Sequence, residues 1–230
     1  MKVKLLYALL ALGLAVTAQE SKFSYGINVF PNYSIGVPVT STTAPNMATS
    51  IALNSYEKFS LSSSVFFEYS ATEKIHISVG LGYFNNGIFQ KWDNLLFEYP
   101  DATTPESYQI LYNHHSIELP IQIKKYFGKY FYGTTGISPT YTFSNTFSTK
   151  NVLADESLAT TEKVKDTSAP YRTINLYANL GFGVDYISND KIALYIQPYA
   201  QYGFLGIAKD VPMNYIMFSF GLSTGIRFNK

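Results

Sequence analysis

Side chains able to do chemistry are few in this sequence, and most sit on the opposite parity from oily residues around them. Glu68, His76, Glu118, Gln122, Lys124, Asp185, Gln197, Gln201 and Arg227 are the set. Successive side chains of a strand face opposite sides, so these residues share the face turned away from the apolar one. If that face is an interior, its charges must be paired to be tolerated, and the set reads as a polar network. Glu118 with Lys124 or Arg227 is the expected ion pair, as charge compensation and not as a proton relay or catalytic device. His114 and His115 are adjacent and point to opposite faces, so they do not readily share a metal and read as a solvated pair at a loop base. A rim protease or acyltransferase would need a histidine beside a carboxylate, and of the four acids in the neighbouring loop, Asp93, Glu98, Asp101 and Glu106, the candidates to converge with the histidines are Asp93 and Asp101. No spacing forces them together. Cysteine is absent, which excludes disulfides, Cys-ligated zinc and thiol nucleophiles. No phosphate-binding glycine loop, nucleotide fingerprint or calcium loop occurs, so no cofactor and no metal are expected. A formal net charge of +1 gives no electrostatic pull toward nucleic acid.

The elements that must position these residues are strands. Phe59, Leu61, Val65, Phe67 and Tyr69 alternate with mostly polar neighbours, and Ile75, Ile77, Val79, Leu81 and Tyr83 repeat the pattern after the short joint 71–74. Six further segments alternate in the same way: 22–33, 116–124, 130–147, 173–186, 192–202 and 216–228. Pro31 weakens the end of the first. The connections alternate long (34–58, 85–115, 150–170, 207–214) and short (71–74, 128–129, 188–191). Each strand is long enough to cross a bilayer, where about 9 to 11 tilted residues are needed. Aromatic residues make up 17% of the chain and charged residues 14%, below the roughly 25% usual in soluble domains, which suits an outer face that meets lipid. In lipid only helices and closed barrels satisfy every backbone group. The fold class is therefore all-β: an eight-stranded antiparallel up-and-down transmembrane β-barrel, with short turns on the periplasmic side and long loops outside. A soluble lipocalin-like barrel, with the oily face inward, is the competing architecture.

Residues 1–18 carry Lys2 and Lys4, an apolar core from Leu5 to Val16 and small residues before Gln19, the pattern of a secretory signal peptide. Residues 19–230 form the barrel domain. Tyr25, Tyr33, Tyr69, Tyr83, Phe127, Tyr141, Phe143, Tyr186 and Phe228 fall near strand ends, as interfacial girdles do. Tyr177, Tyr195 and Tyr199 are expected to fill the lumen, and Lys125 to snorkel from the lipid parity.

Ile117, Glu118, Leu119, Pro120, Lys124 or Lys125, Tyr126, Phe127 and Gly136, with Val79 to Tyr83, carry a likeness. This pattern resembles the outer-membrane β-barrel domain of Bacteroidetes-type bacteria, called PorT-like. The resemblance implies an outer-membrane location and an eight-stranded scaffold. One member class is similar to secretion accessory proteins, a role that a barrel motif alone does not transfer. Chains of this kind often end on an aromatic residue, whereas here Asn229 and Lys230 follow Phe228. The expected role is a structural or interaction protein with long extracellular loops, a side-chain-filled lumen and no enzymatic activity. Its partners would be outer-membrane lipid and, as a candidate, an envelope or secretion protein. A secretion accessory, a rim enzyme and a small-solute pore stand as alternatives.

Overall fold

The computed structural model describes residues 22–40, 54–93, 105–153, 158–165, 171–209 and 213–229. The proposed signal peptide, residues 1–18, lies outside them. The strands are β1 (Phe23–Thr40), β2 (Ser55–Tyr56), β3 (Lys58–Ser70), β4 (Ile75–Asp93), β5 (Pro105–Glu118), β6 (Ile121–Tyr126), β7 (Phe131–Leu153), β8 (Leu158–Lys165), β9 (Ile174–Ser188), β10 (Ile192–Gly203) and β11 (Met213–Asn229).

Each wall strand is antiparallel to its neighbours, and β11 returns to pair with β1 from Ser24↔Asn229 to Thr40↔Met213. The ring runs β1, β3, β4, β5 continued by β6, β7, β9, β10 and β11, which is eight strands without a free edge. Closure removes the unpaired edge that a sheet otherwise exposes. Strand four of the sequence reading is two pieces. It breaks at Leu119 and Pro120, because proline offers no N–H to the ladder. The wall is stitched there by Leu119 N–H to Pro139 O at 2.9 Å and Gly80 N–H to Pro120 O at 2.8 Å.

The oily parity faces out. Leu180, Phe182, Phe67 and Ile123 are 59, 63, 68 and 52% exposed, whereas Tyr132, Ser138, Asn32 and Ser219 are fully enclosed. This inverts a water-soluble protein, in which large apolar side chains go in and polar ones stay out. The lipocalin-like alternative needs the reverse parity and is excluded. Tyr25 stacks on Phe228 at 5.3 Å near the short-turn end, while Tyr33 meets Phe59 at 5.5 Å and Phe220 at 6.1 Å near the other. These two aromatic bands fit the two interfaces.

Several segments expected as loops are strand. β1 runs through Pro31 to Thr40, with its β11 register skipping 30 and 31. β4 continues to Asp93, β5 starts at Pro105, and β7 with β8 makes a hairpin within the expected loop 150–170. Together β2, β4, β5, β7 and β8 extend the wall beyond the outer aromatic band as one sheet.

Candidate functional site: a layered lumen

At the short-turn end of the lumen six side chains meet. Glu68 from β3 takes His76 Nδ1 at 2.8 Å and Arg227 Nη1 at 3.1 Å on Oε1, and Lys124 Nζ at 2.6 Å on Oε2. Arg227 from β11 also reaches Asp185 Oδ2 at 2.7 Å and the Tyr126 hydroxyl at 2.7 Å. Tyr126 in turn donates to Asp185 Oδ2 at 2.9 Å. Two acids and two bases balance, so the charges are buried as compensated pairs. The pairing differs from the sequence expectation. Glu118 bonds neither Lys124 nor Arg227; it accepts Gln201 Nε2 at 2.5 Å. The physical reason is height along the barrel. Glu118 sits about midway up the wall, whereas Lys124 and Arg227 lie near the short turns beside Glu68 and Asp185.

Beside the Glu118–Gln201 bond, the middle layer is made of neutral pairs between inward side chains. Gln122 donates to the Tyr199 hydroxyl at 2.9 Å, Gln197 to Thr134 Oγ1 at 2.9 Å, and Asn179 to Ser138 Oγ at 2.6 Å. Phe30 meets Tyr199 edge-on at 5.0 Å, and Phe66 meets Tyr195 at 6.2 Å. Between this layer and the ionic one lies a cavity of about 60 Å³, bordered by Glu68, Lys124, Glu118, Gln122 and Gln197. That space holds a few waters, and it has the polar partners that buried water needs. Glycines on the inner face make room for the large residues: a Cβ at Gly183 would overlap the Tyr132 ring, and one at Gly181 the Gln197 amide.

Above this, toward the long connections, the lumen turns apolar. Phe84, Ile88, Tyr177 and Met217 form a buried cluster, with Tyr112, Ile207 and Tyr215 against it. β4 supplies the plug by leaving its neighbour. Its ladder with β3 ends at Ser63↔Tyr83. Past that point Ser62 Oγ accepts from Asn85 N–H at 3.0 Å, and Ser34 Oγ of β1 accepts from Gly87 N–H and donates to Gly87 O, both at 2.9 Å. Two hydroxyls thus replace a stretch of backbone ladder and let β4 approach β1, where Ile88 lies over Gly36. Lys58, on the inner face here, reaches Ser60 Oγ at 2.5 Å and Asn85 Oδ1 at 3.3 Å.

Glu68, His76, Glu118, Gln122, Lys124, Asp185 and Arg227 all lie on the inner face. Five of them form the ionic cluster; Glu118 and Gln122 belong to the middle layer. Tyr126 and Lys58 were not anticipated as network members. Tyr126 follows Lys124 by two on the same strand, and that parity is the signal that places it. The adjacent histidines do face opposite sides, but they are not a solvated loop-base pair: both lie within β5, His114 is buried and bonded to Asn145 Oδ1 at 2.6 Å, and His115 is outside, with the Tyr83 hydroxyl at 2.6 Å. Among the described residues no group of three or more His, Asp or Glu side chains could hold a metal ion. Asp101 lies outside the described residues.

The chain superposes on solved outer-membrane barrels at low identity. Neisserial surface protein A (NspA) matches with a TM-score of 0.45 at 10% identity, covering 91% of this chain and 98% of that one. Ail, the attachment invasion locus protein of Yersinia pestis, matches with a TM-score of 0.42 at 9% identity, covering 90% and 99%. OprG of Pseudomonas aeruginosa matches with a TM-score of 0.38 at 13% identity, covering 90% and 95%. No curated protein sequence matches significantly. The model of the outer membrane protein beta-barrel domain family matches residues 17–207, from the segment before β1 to the turn after β10. With the closed ring, the outward oily face and this match over most of its length, the chain belongs to the outer membrane protein beta-barrel domain family and resides in the cell outer membrane.

Proposed function

We propose that this protein is a non-enzymatic, non-conducting barrel that presents an extracellular sheet as an interaction surface. The observation that carries the reading is the layered lumen, with an ionic cluster at one end, an apolar plug at the other and a cavity of about 60 Å³ between. An eight-stranded barrel is just wide enough for side chains to fill it, so a continuous water path has no room. Among the described residues, the strands that project past the outer aromatic band form one sheet outside the bilayer, and rigidly held projections of this kind are where binding usually resides. Outer-membrane lipid is the partner of the oily wall, and a leader at residues 1–18 delivers the chain for export. A second reading, an envelope-assembly or secretion accessory of the Bacteroidetes, PorT-like type, is favoured by the motif from Ile117 to Gly136. Purified protein in a planar lipid bilayer tests the first reading: no conductance steps are expected, and discrete, reproducible steps would overturn it. Copurification of a stable periplasmic or inner-membrane protein would select the second.

A further inference from the structure

We infer that a small pocket at the extracellular mouth, centred on Arg172, receives an oxyanion: the carboxylate or phosphate end of a ligand. The chain contains two arginines, and their surroundings are opposite. Arg227 is held by Glu68, Asp185 and Tyr126. The Arg172 guanidinium meets no carboxylate and makes no hydrogen bond among the described residues, and its Nε is sealed from solvent without a partner. A desolvated donor left bare is costly, so its retention needs a reason.

The segment bearing it is pinned. Arg172 N–H donates to Ile207 O at 2.8 Å, and Tyr171 bridges Ala208. Facing Arg172 is a pocket of about 10 Å³ between Asn86, His114, Asn145 and Asn175, over Tyr177. Its walls are already fixed by their own bonds. Asn86 Nδ2 donates to the Tyr177 hydroxyl at 3.0 Å, Asn175 Nδ2 to Leu205 O at 3.1 Å, and His114 pairs with Asn145 at 2.6 Å. Such prior ordering lowers the cost of binding. No acid lines the pocket, and one water-sized group fits. One oxygen of an oxyanion would enter while the rest stays at the mouth, where the planar guanidinium fork suits carboxylate and phosphate alike. This site lies above the plug, so it stands independently of whether the lumen conducts.

Soluble anions and lipid phosphates share this chemistry, and the test separates them. Folded wild-type protein is treated with phenylglyoxal and modification at each arginine is read by mass spectrometry. It is run in phosphatidylcholine nanodiscs with and without inorganic phosphate or acetate, and again in nanodiscs containing phosphatidylglycerol. Arg172 is expected to react and Arg227 to be protected throughout. Inorganic phosphate or acetate should slow modification of Arg172 at least fivefold and saturably, which assigns a soluble ligand. Slowing in phosphatidylglycerol discs alone assigns a lipid headgroup. Equal rates in every condition mean that the pocket holds only water, and overturn the inference. As a second arm, phosphate binding followed by ³¹P line width should weaken at least tenfold in Arg172→Gln and persist in Arg172→Lys. Unchanged binding in Arg172→Gln also overturns it.

Discussion

Replacing Arg227 by methionine isolates what the ionic layer contributes. The substitution keeps much of the side-chain volume and removes four contacts: 3.1 Å to Glu68, 2.7 Å to Asp185, 2.7 Å to the Tyr126 hydroxyl and 3.3 Å to Asn229 Oδ1. Glu68 retains Lys124 and His76, so the loss falls mainly on Asp185. That carboxylate is 2% exposed, its Oδ1 has no partner, and only the Tyr126 hydroxyl would remain on Oδ2. Removing one member of a buried pair costs about 3–5 kcal/mol, because an uncompensated charge is left behind. With a urea m-value of roughly 1–3 kcal/mol/M, the midpoint should fall by at least about 1 M. Adding Asp185→Asn restores balance, since Glu68 and Lys124 remain matched, and should recover about half of the loss or more. The coupling between the two sites should reach about 0.5–3 kcal/mol. The assay is urea unfolding in lipid vesicles, scored by the fraction of heat-modifiable band. A single variant within about 0.5 kcal/mol of wild type, or a double variant whose cost is the sum of the singles, would refute the reasoning.

Three further pairs of substitutions probe other layers. Arginine at Val65, on the lipid face between the aromatic bands, should cost about 2–4 kcal/mol, whereas Phe127→Arg at the interface should cost about 0–1, both by the same urea titration. Ser34→Ala leaves the Gly87 N–H without its acceptor and should cost about 1–3 kcal/mol, while Ser63→Ala on the outer parity stays within about 0.5; faster amide exchange at Gly87 should accompany the first. Gly183→Leu collides with Tyr132 and should abolish the heat-modifiable band, while Gly128→Ala, with no heavy atom near its added Cβ, should keep it.

The membrane-spanning wall was legible in the sequence because lipid enforces a strict rule. Outward residues there are predominantly oily, so Leu180 and Phe182 alternate visibly with Asn179 and Gly181. Beyond the outer aromatic band that rule lapses. Asn85 and Gly87 take the outward parity in β4, and Ser144 and Thr146 continue β7 without an oily period, so continuous strand reads as loop. Pro31 looked like a strand end, yet β1 passes through it because the β11 ladder is open at that point. Parity also identified the inward polar residues, but it carries no information on height. Glu118 and Lys124 share a face and differ by a layer, which is why their expected pair does not form. Arg172 was invisible for a different reason: it lies in an aperiodic stretch, and only the three-dimensional approach of Asn86 and Asn175 gives it a context.

Because the chain has no cysteine, single cysteines can be placed along β9 and the barrel read directly. A bimane label on Ala178→Cys, Leu180→Cys or Phe182→Cys should be strongly quenched by brominated lipid tails. Cysteines at Tyr177, Asn179 and Asp185 should stay unlabelled in the folded protein. A period-two pattern of this sign is what a closed barrel with an oily wall and a filled polar lumen requires. Quenching without that period, or labelling that favours the inner set, would contradict it.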